Sequence, residues 1–325
     1  MSTRLLRPLV LLLAAAPALA QRGVPIPLEK DSTNRDDNVT WIVEGRQRLP
    51  SHVALKSLRA CTIQGAGAGA VLEVEGELDL RAATGGTIVI DGVWVEPVER
   101  CKGLTLLNVR FRGDGGLRTP EEIMVDAELT LSDTNFEGKA RLDLGLFGGK
   151  LLMMGCASDE PVTVRGLTND KQKRNGLVLQ VDSCSGRDRA LRGGLVIEGV
   201  KEVLVRNCDL GGEASRLVDS GKLEFFGNLV RSRRMEFRYS TTKSFKSAKI
   251  SAVDFRCGEL LLAQPPTGSD PEKVRLVQCW FDDHLEEEAI RQHMLRDAAS
   301  DPDNGALANL VKIQPAPLGL GGKAR

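Results

Sequence analysis

Seven cations crowd into residues 231–249: Arg231, Arg233, Arg234, Arg238, Lys243, Lys246 and Lys249, against a single acid, Glu236. In a winding chain such a run comes to lie on one or two faces, and a basic groove attracts anionic polymers. A long solvated loop within one turn of chain is the plainer alternative, and on sequence both stay open. Elimination across a uronate needs a base for the C5 proton and a cation on the carboxylate. Arg238, Lys243 and Lys246 are of types that suit either role, and the sequence does not choose among them.

Other candidate chemistry is thinner. The pair Asp282-Asp283, followed by His284, offers two carboxyls of the kind that flank a glycosidic bond in hydrolysis. Adjacent strand residues point to opposite faces, however, and Asp before a helix is a common N-cap. Asp182, Asp209 and Asp254 fall in related regions of the chain but at no shared phase, so no carboxylate ladder for calcium emerges. Calcium is expected only if the protein is a lyase, and no other cofactor is implied. Trp41, Trp94, Trp280 and Tyr239 are the aromatic candidates for stacking on sugar; Trp280 beside Cys279 is expected to face outward, either onto a sugar or under a following loop. Gly-x-Ser-x-Gly, Gly-Lys-Ser/Thr and His-Glu-x-x-His motifs are absent from the sequence.

The elements that must position these residues repeat. The phrase apolar-x-apolar-x, then a polar turn-former, then a small residue, occurs as Leu104-Thr105-Leu106-Leu107-Asn108-Val109 and Leu129-Thr130-Leu131-Ser132-Asp133-Thr134. It returns as Val203-Leu204-Val205-Arg206-Asn207-Cys208 and Val274-Arg275-Leu276-Val277-Gln278-Cys279, with weaker copies ending at Cys156, Cys184, Leu229 and Cys257. The phrase recurs about every 24 residues, a solenoid period. The units alternate with period two and lack the helical i, i+3, i+4, i+7 spacing. A coil of this length, with two or three short strands, fits a parallel β-helix, in which stacking buries what one coil cannot bury alone. The small terminal position then becomes an inward stack, and Cys serves there as a small hydrophobe. Seven cysteines are an odd number, and stacked free thiols are expected, with at least one disulfide as the alternative.

Val203-Leu204-Val205-Arg206-Asn207-Cys208-Asp209-Leu210 resembles a coil of the pectate-lyase-like right-handed β-helix superfamily, and residues 104–113 and 129–138 look similar. The resemblance covers roughly residues 41–282 and is one of coil pattern. Its members include polysaccharide lyases, glycoside hydrolases, pectin esterases, epimerases and noncatalytic adhesins, so it implies architecture and leaves activity open.

Composition and the chain ends complete the reading. Arg4 and Arg7, a short apolar run over residues 9–16 and Ala18-Leu19-Ala20 read as a cleaved export signal, with the mature chain starting at Gln21. The mature chain keeps 42 basic against 44 acidic residues once Arg4 and Arg7 are removed, which argues against a nucleic-acid partner. No segment is long and apolar enough to span a bilayer. Residues 21–40 read as a flexible lead-in, 41–282 as the β-helix, 283–299 as a short capping helix and 300–325 as an irregular tail. Leu72, Val74, Leu78 and Leu80 are expected inward, with Glu73, Glu75, Glu77 and Asp79 on a solvated face.

The expectation is therefore an all-β, right-handed parallel β-helix solenoid of about ten coils with a short C-terminal helix. It is an exported, periplasmic or extracellular protein that binds an acidic polysaccharide or cell-surface polymer through the 231–249 cations and Trp280. A polysaccharide lyase or other carbohydrate-active enzyme is the first alternative, a structural surface protein the second. Oligomeric state is not legible in the sequence.

Overall fold

The computed structural model describes residues 24–25, 32–49, 51–166, 178–238, 247–262, 274–277 and 279–281. Every strand pairing is parallel, and the chain winds as an all-β parallel solenoid of about nine turns. Each turn visits three faces in order. The first face is an eleven-stranded sheet running from Ser32–Asn34 to Val274–Val277. The third is a ten-stranded sheet from Arg46–Leu49 to Glu259–Leu262. The second is split into seven-stranded and four-stranded pieces, bridged through Leu191, which pairs with Ser158 on one side and Leu210 on the other. Strands Val24–Pro25 and Ser32–Asn34 lie within the 21–40 stretch and already join the second and first faces. The 283–299 helix and the 300–325 tail lie outside the described residues.

Period-two alternation explains the core. On the first face, Leu78, Leu104, Leu129, Leu151, Leu179, Val203 and Leu223 stand in register as one inward column. Each column member packs on the side chains one inter-strand spacing above and below, about 4.8 Å away. Leu72, Val74, Leu78 and Leu80 are all buried, as expected. They do not share one strand, however. Ala70–Val74 lies on the third face and Glu77–Ala82 on the first, with a corner at Glu75-Gly76.

From Asn108 to Ala252 the corner from the first to the second face turns on one left-handed residue per coil: Asn108, Asp133, Gly155, Ser183, Asn207, Gly227 and Ala252, with φ between 49° and 65°. Asn, Asp and Gly tolerate this conformation; Ser183 and Ala252 adopt it with more strain. The next residue turns inward: Val109, Thr134, Cys156, Cys184, Cys208, Asn228 and Val253 are all buried. The sequence pattern anticipates this stack through Cys208 and then slips. It assigns Leu229 and Cys257, whereas the coils place Asn228 and Val253 there, because the pattern reads Asn228 as the turn residue and follows the cysteine to Cys257.

The stack has a polar purpose as well as a volume. Thr134 Oγ1 donates to the Leu106 carbonyl at 3.2 Å, and the Cys156 and Cys208 thiols approach the carbonyls of Leu131 and Val181 at 3.4 and 3.7 Å. Asn228 Nδ2 donates to Val205 at 2.9 Å, and the Cys279 thiol approaches Ile250 at 3.8 Å. In each case a short donor side chain reaches a carbonyl of the preceding coil, the accounting a buried corner demands. All seven cysteines are unbridged and buried.

Candidate anion-binding groove

After every other described corner from Val109 onward, the second-face strand follows within a residue or two; Cys208 leads directly into Asp209–Leu210. After Cys184 the chain leaves the coil through Ser185-Gly186-Arg187-Asp188-Arg189 and rejoins it at Leu191. This excursion splits the second face and walls a groove of about 710 Å³, floored by Asn207, Asp209 and Leu229 and flanked by Arg187, Arg192 and Arg231.

The wall is tied down. Arg192 Nη1 bonds Asp159 Oδ1 at 3.1 Å, and its Nη2 donates to the Arg187 carbonyl within the excursion. Arg189 Nη2 lies 3.0 Å from Asp133 Oδ1. At the return, Gly193 packs so closely that a Cβ there would meet the Glu160 carbonyl carbon at 2.0 Å, which leaves glycine the residue that fits.

On the floor, Arg231 Nη2 donates to Asp209 Oδ2 at 2.7 Å. Asp209 is 9% exposed. Burial pushes its carboxyl above the ordinary value, with the Arg231 charge acting in the opposite direction. Asp182, at the neighbouring corner, goes the other way. Burial raises it too, but hydrogen bonds from Arg206 and Ser183 and the Arg206 charge outweigh that and hold it low. Of the three guanidiniums that line the groove, Arg231 is paired with buried Asp209 and Arg192 with Asp159. Arg187 is exposed and makes no ion pair with any described residue.

The 231–249 cations divide among faces. Arg231 edges the groove. Arg233 pairs with Glu213 at 3.3 Å, while Arg234 and Arg238 lie on the third face, 3.7 Å from Glu259 and 2.8 Å from Glu236. Lys249 belongs to the first-face strand Ser247–Ser251. Lys243, Lys246 and Tyr239 lie outside the described residues, as do Asp282, Asp283 and His284. Trp280 stands in the same second-face column as Asp209, Leu229 and Asp254. Asp209 and Asp254 therefore do share a phase, two coils apart, whereas Asp182 belongs to the first face. Arg187 and Arg192 were not among the sequence candidates. Their signal was the run Ser185-Gly186-Arg187-Asp188-Arg189 after Cys184, where other corners lead into a short strand such as Asn135–Phe136 or Asp209–Leu210.

The acidic run before Asp79 is no open cation site. Glu73, 8% exposed, is held by Arg46 and by Arg48 at 3.2 Å, and Arg46 also reaches Glu96 at 3.0 Å. The Arg46 hydrogen bond, opposed by burial, keeps the Glu73 carboxyl low. Glu75 meets Arg100 at 3.1 Å, and Asp79 meets Arg81 at 2.6 Å. Among the described residues no cluster of three or more His, Cys, Asp or Glu is arranged to hold a metal ion, and no helix is long and apolar enough to cross a membrane.

The fold and groove define a parallel β-solenoid with a basic cleft on one interrupted face. Comparison with protein-family models, with curated proteins and with solved structures found no match.

Proposed function

We propose that this chain is an exported, noncatalytic β-solenoid that binds an acidic polysaccharide or cell-surface polymer along its second face. The observation that carries this reading is the convergence of Arg187, Arg192 and Arg231 on one groove whose lining holds a single acid, Asp209. Guanidinium presents a planar fork suited to carboxylate and sulfate groups. The column through Leu229 and Asp254 to Trp280 extends the same face by three coils, a path along which successive sugars of a polymer could lie. The coil pattern adds the resemblance to pectate-lyase-like proteins, and residues 1–20 read as an export signal.

The test is retention of the mature protein on an immobilised polyuronate, with a neutral glucan as control. Wild type is expected to bind the polyuronate and to elute with salt, which screens exposed charges. Arg187→Gln, Arg192→Gln and Arg231→Gln combined are expected to weaken binding at least about tenfold, since one charge-assisted hydrogen bond contributes about 1.5–3 kcal/mol. Lys249→Gln, on another face, leaves retention unchanged. Equal retention of the triple variant and wild type would overturn the assignment.

A polysaccharide lyase remains the second reading, favoured by one observation. Asp209, with its raised carboxyl 2.7 Å from Arg231, pairs a proton acceptor with a cation in a groove.

A further inference from the structure

Cys156, Cys184 and Cys208 occupy the same inward position on three successive coils. Their strands are in register, Met154 with Asp182 and Asp182 with Arg206, and each cysteine follows its strand's last residue by two. Adjacent members are therefore one inter-strand spacing apart, about 4.8 Å between Cα atoms, inside the range a disulfide spans. Cys156 and Cys208 are two spacings apart, about 10 Å, beyond that range. All three are buried and unbridged.

We infer that these three cysteines form one disulfide-forming site, in which Cys184 bonds to Cys156 or to Cys208 but never to both. The inference is independent of what the groove binds. Its oxidant is a small-molecule or protein disulfide. A thiolate of the column attacks one sulfur of the oxidant and expels a thiolate. The neighbouring thiolate then attacks the mixed disulfide and expels the second. Two protein thiols and one disulfide thus give one protein disulfide and two free thiols. Cys208 also lines the groove floor and Cys184 roots its wall, so a bond between them would fasten the two together.

The experiment incubates the full chain with oxidised glutathione in sub-denaturing urea, which opens the buried coils, then blocks residual thiols and maps disulfides by mass spectrometry. The expected products are peptides joining Cys184 to Cys156 and Cys184 to Cys208. Cys184→Thr, a residue the same column accepts at Thr134, should yield no Cys156–Cys208 link. Cys156→Thr should keep the Cys184–Cys208 link, which shows that a loss is not misfolding. Cys184 found in no disulfide, or a Cys156–Cys208 link in the Cys184→Thr chain, would overturn the inference.

Discussion

Phe237→Ala is expected to destabilise the solenoid by about 3–5 kcal/mol, the usual cost of truncating a fully buried Phe. The Phe237 ring is enclosed on the third face and meets Phe225 edge-on at 5.4 Å and Phe255 at 6.4 Å between centroids. These three rings join the three inner faces across two successive coils. Removing the middle one leaves a void that the others cannot fill without leaving their rotamers. The loss is a large part of a typical folding free energy of about 5–15 kcal/mol. In a solenoid each coil is stabilised by its neighbours, so the loss should appear first as early unfolding of the C-terminal coils. Urea denaturation followed by circular dichroism measures it. Phe226→Ala is the control, because Phe226 is 48% exposed on the outer side of its strand, and a change of no more than about 0.5 kcal/mol is expected. Equal effects of the two substitutions would contradict the packing described here.

Asn228→Ala is expected to cost about 2–4 kcal/mol for a different reason. Asn228 is buried in the corner stack; its Oδ1 accepts from the Cys208 amide at 2.9 Å and its Nδ2 donates to the Val205 carbonyl at 2.9 Å. Alanine removes both partners at once, and each stranded buried group costs about 1–3 kcal/mol. Asn228→Thr should recover part of the loss, since Thr134 makes the equivalent bond to the preceding coil. The same denaturation midpoints decide it. A threonine variant no better than alanine would contradict the corner ladder.

The sequence made the architecture legible because a coil states its rule repeatedly. Leu104, Leu129 and Val203 carry the same alternation, and their register in the first face follows from it. Asn108, Asp133 and Asn207 mark the corner because it needs a left-handed backbone. Phase was lost where the marker changed. Gly227 and Ala252 make the turn without an Asn or Asp, so Asn228 was read as the turn itself and Cys257 was drawn into a stack that it does not join. The charged face was harder. A linear run of cations says how many there are, and winding decides which face each takes. Arg231 reaches the groove, while Arg234 and Arg238 turn to the third face and meet Glu259 and Glu236. Arg187 and Arg192 join Arg231 from about forty residues upstream, across one intervening coil, a stacking that no local pattern expresses.

The most direct test of the account is to incubate the purified mature protein with a panel of acidic and neutral polysaccharides, with and without calcium, and to measure both retention and products. The account predicts salt-sensitive retention on the acidic members, independent of calcium, with every polymer recovered intact. Failure to bind any acidic polymer would contradict the groove's assignment. Unsaturated or shortened oligosaccharides would contradict the noncatalytic reading and make the Asp209–Arg231 pair the first place to look for the chemistry.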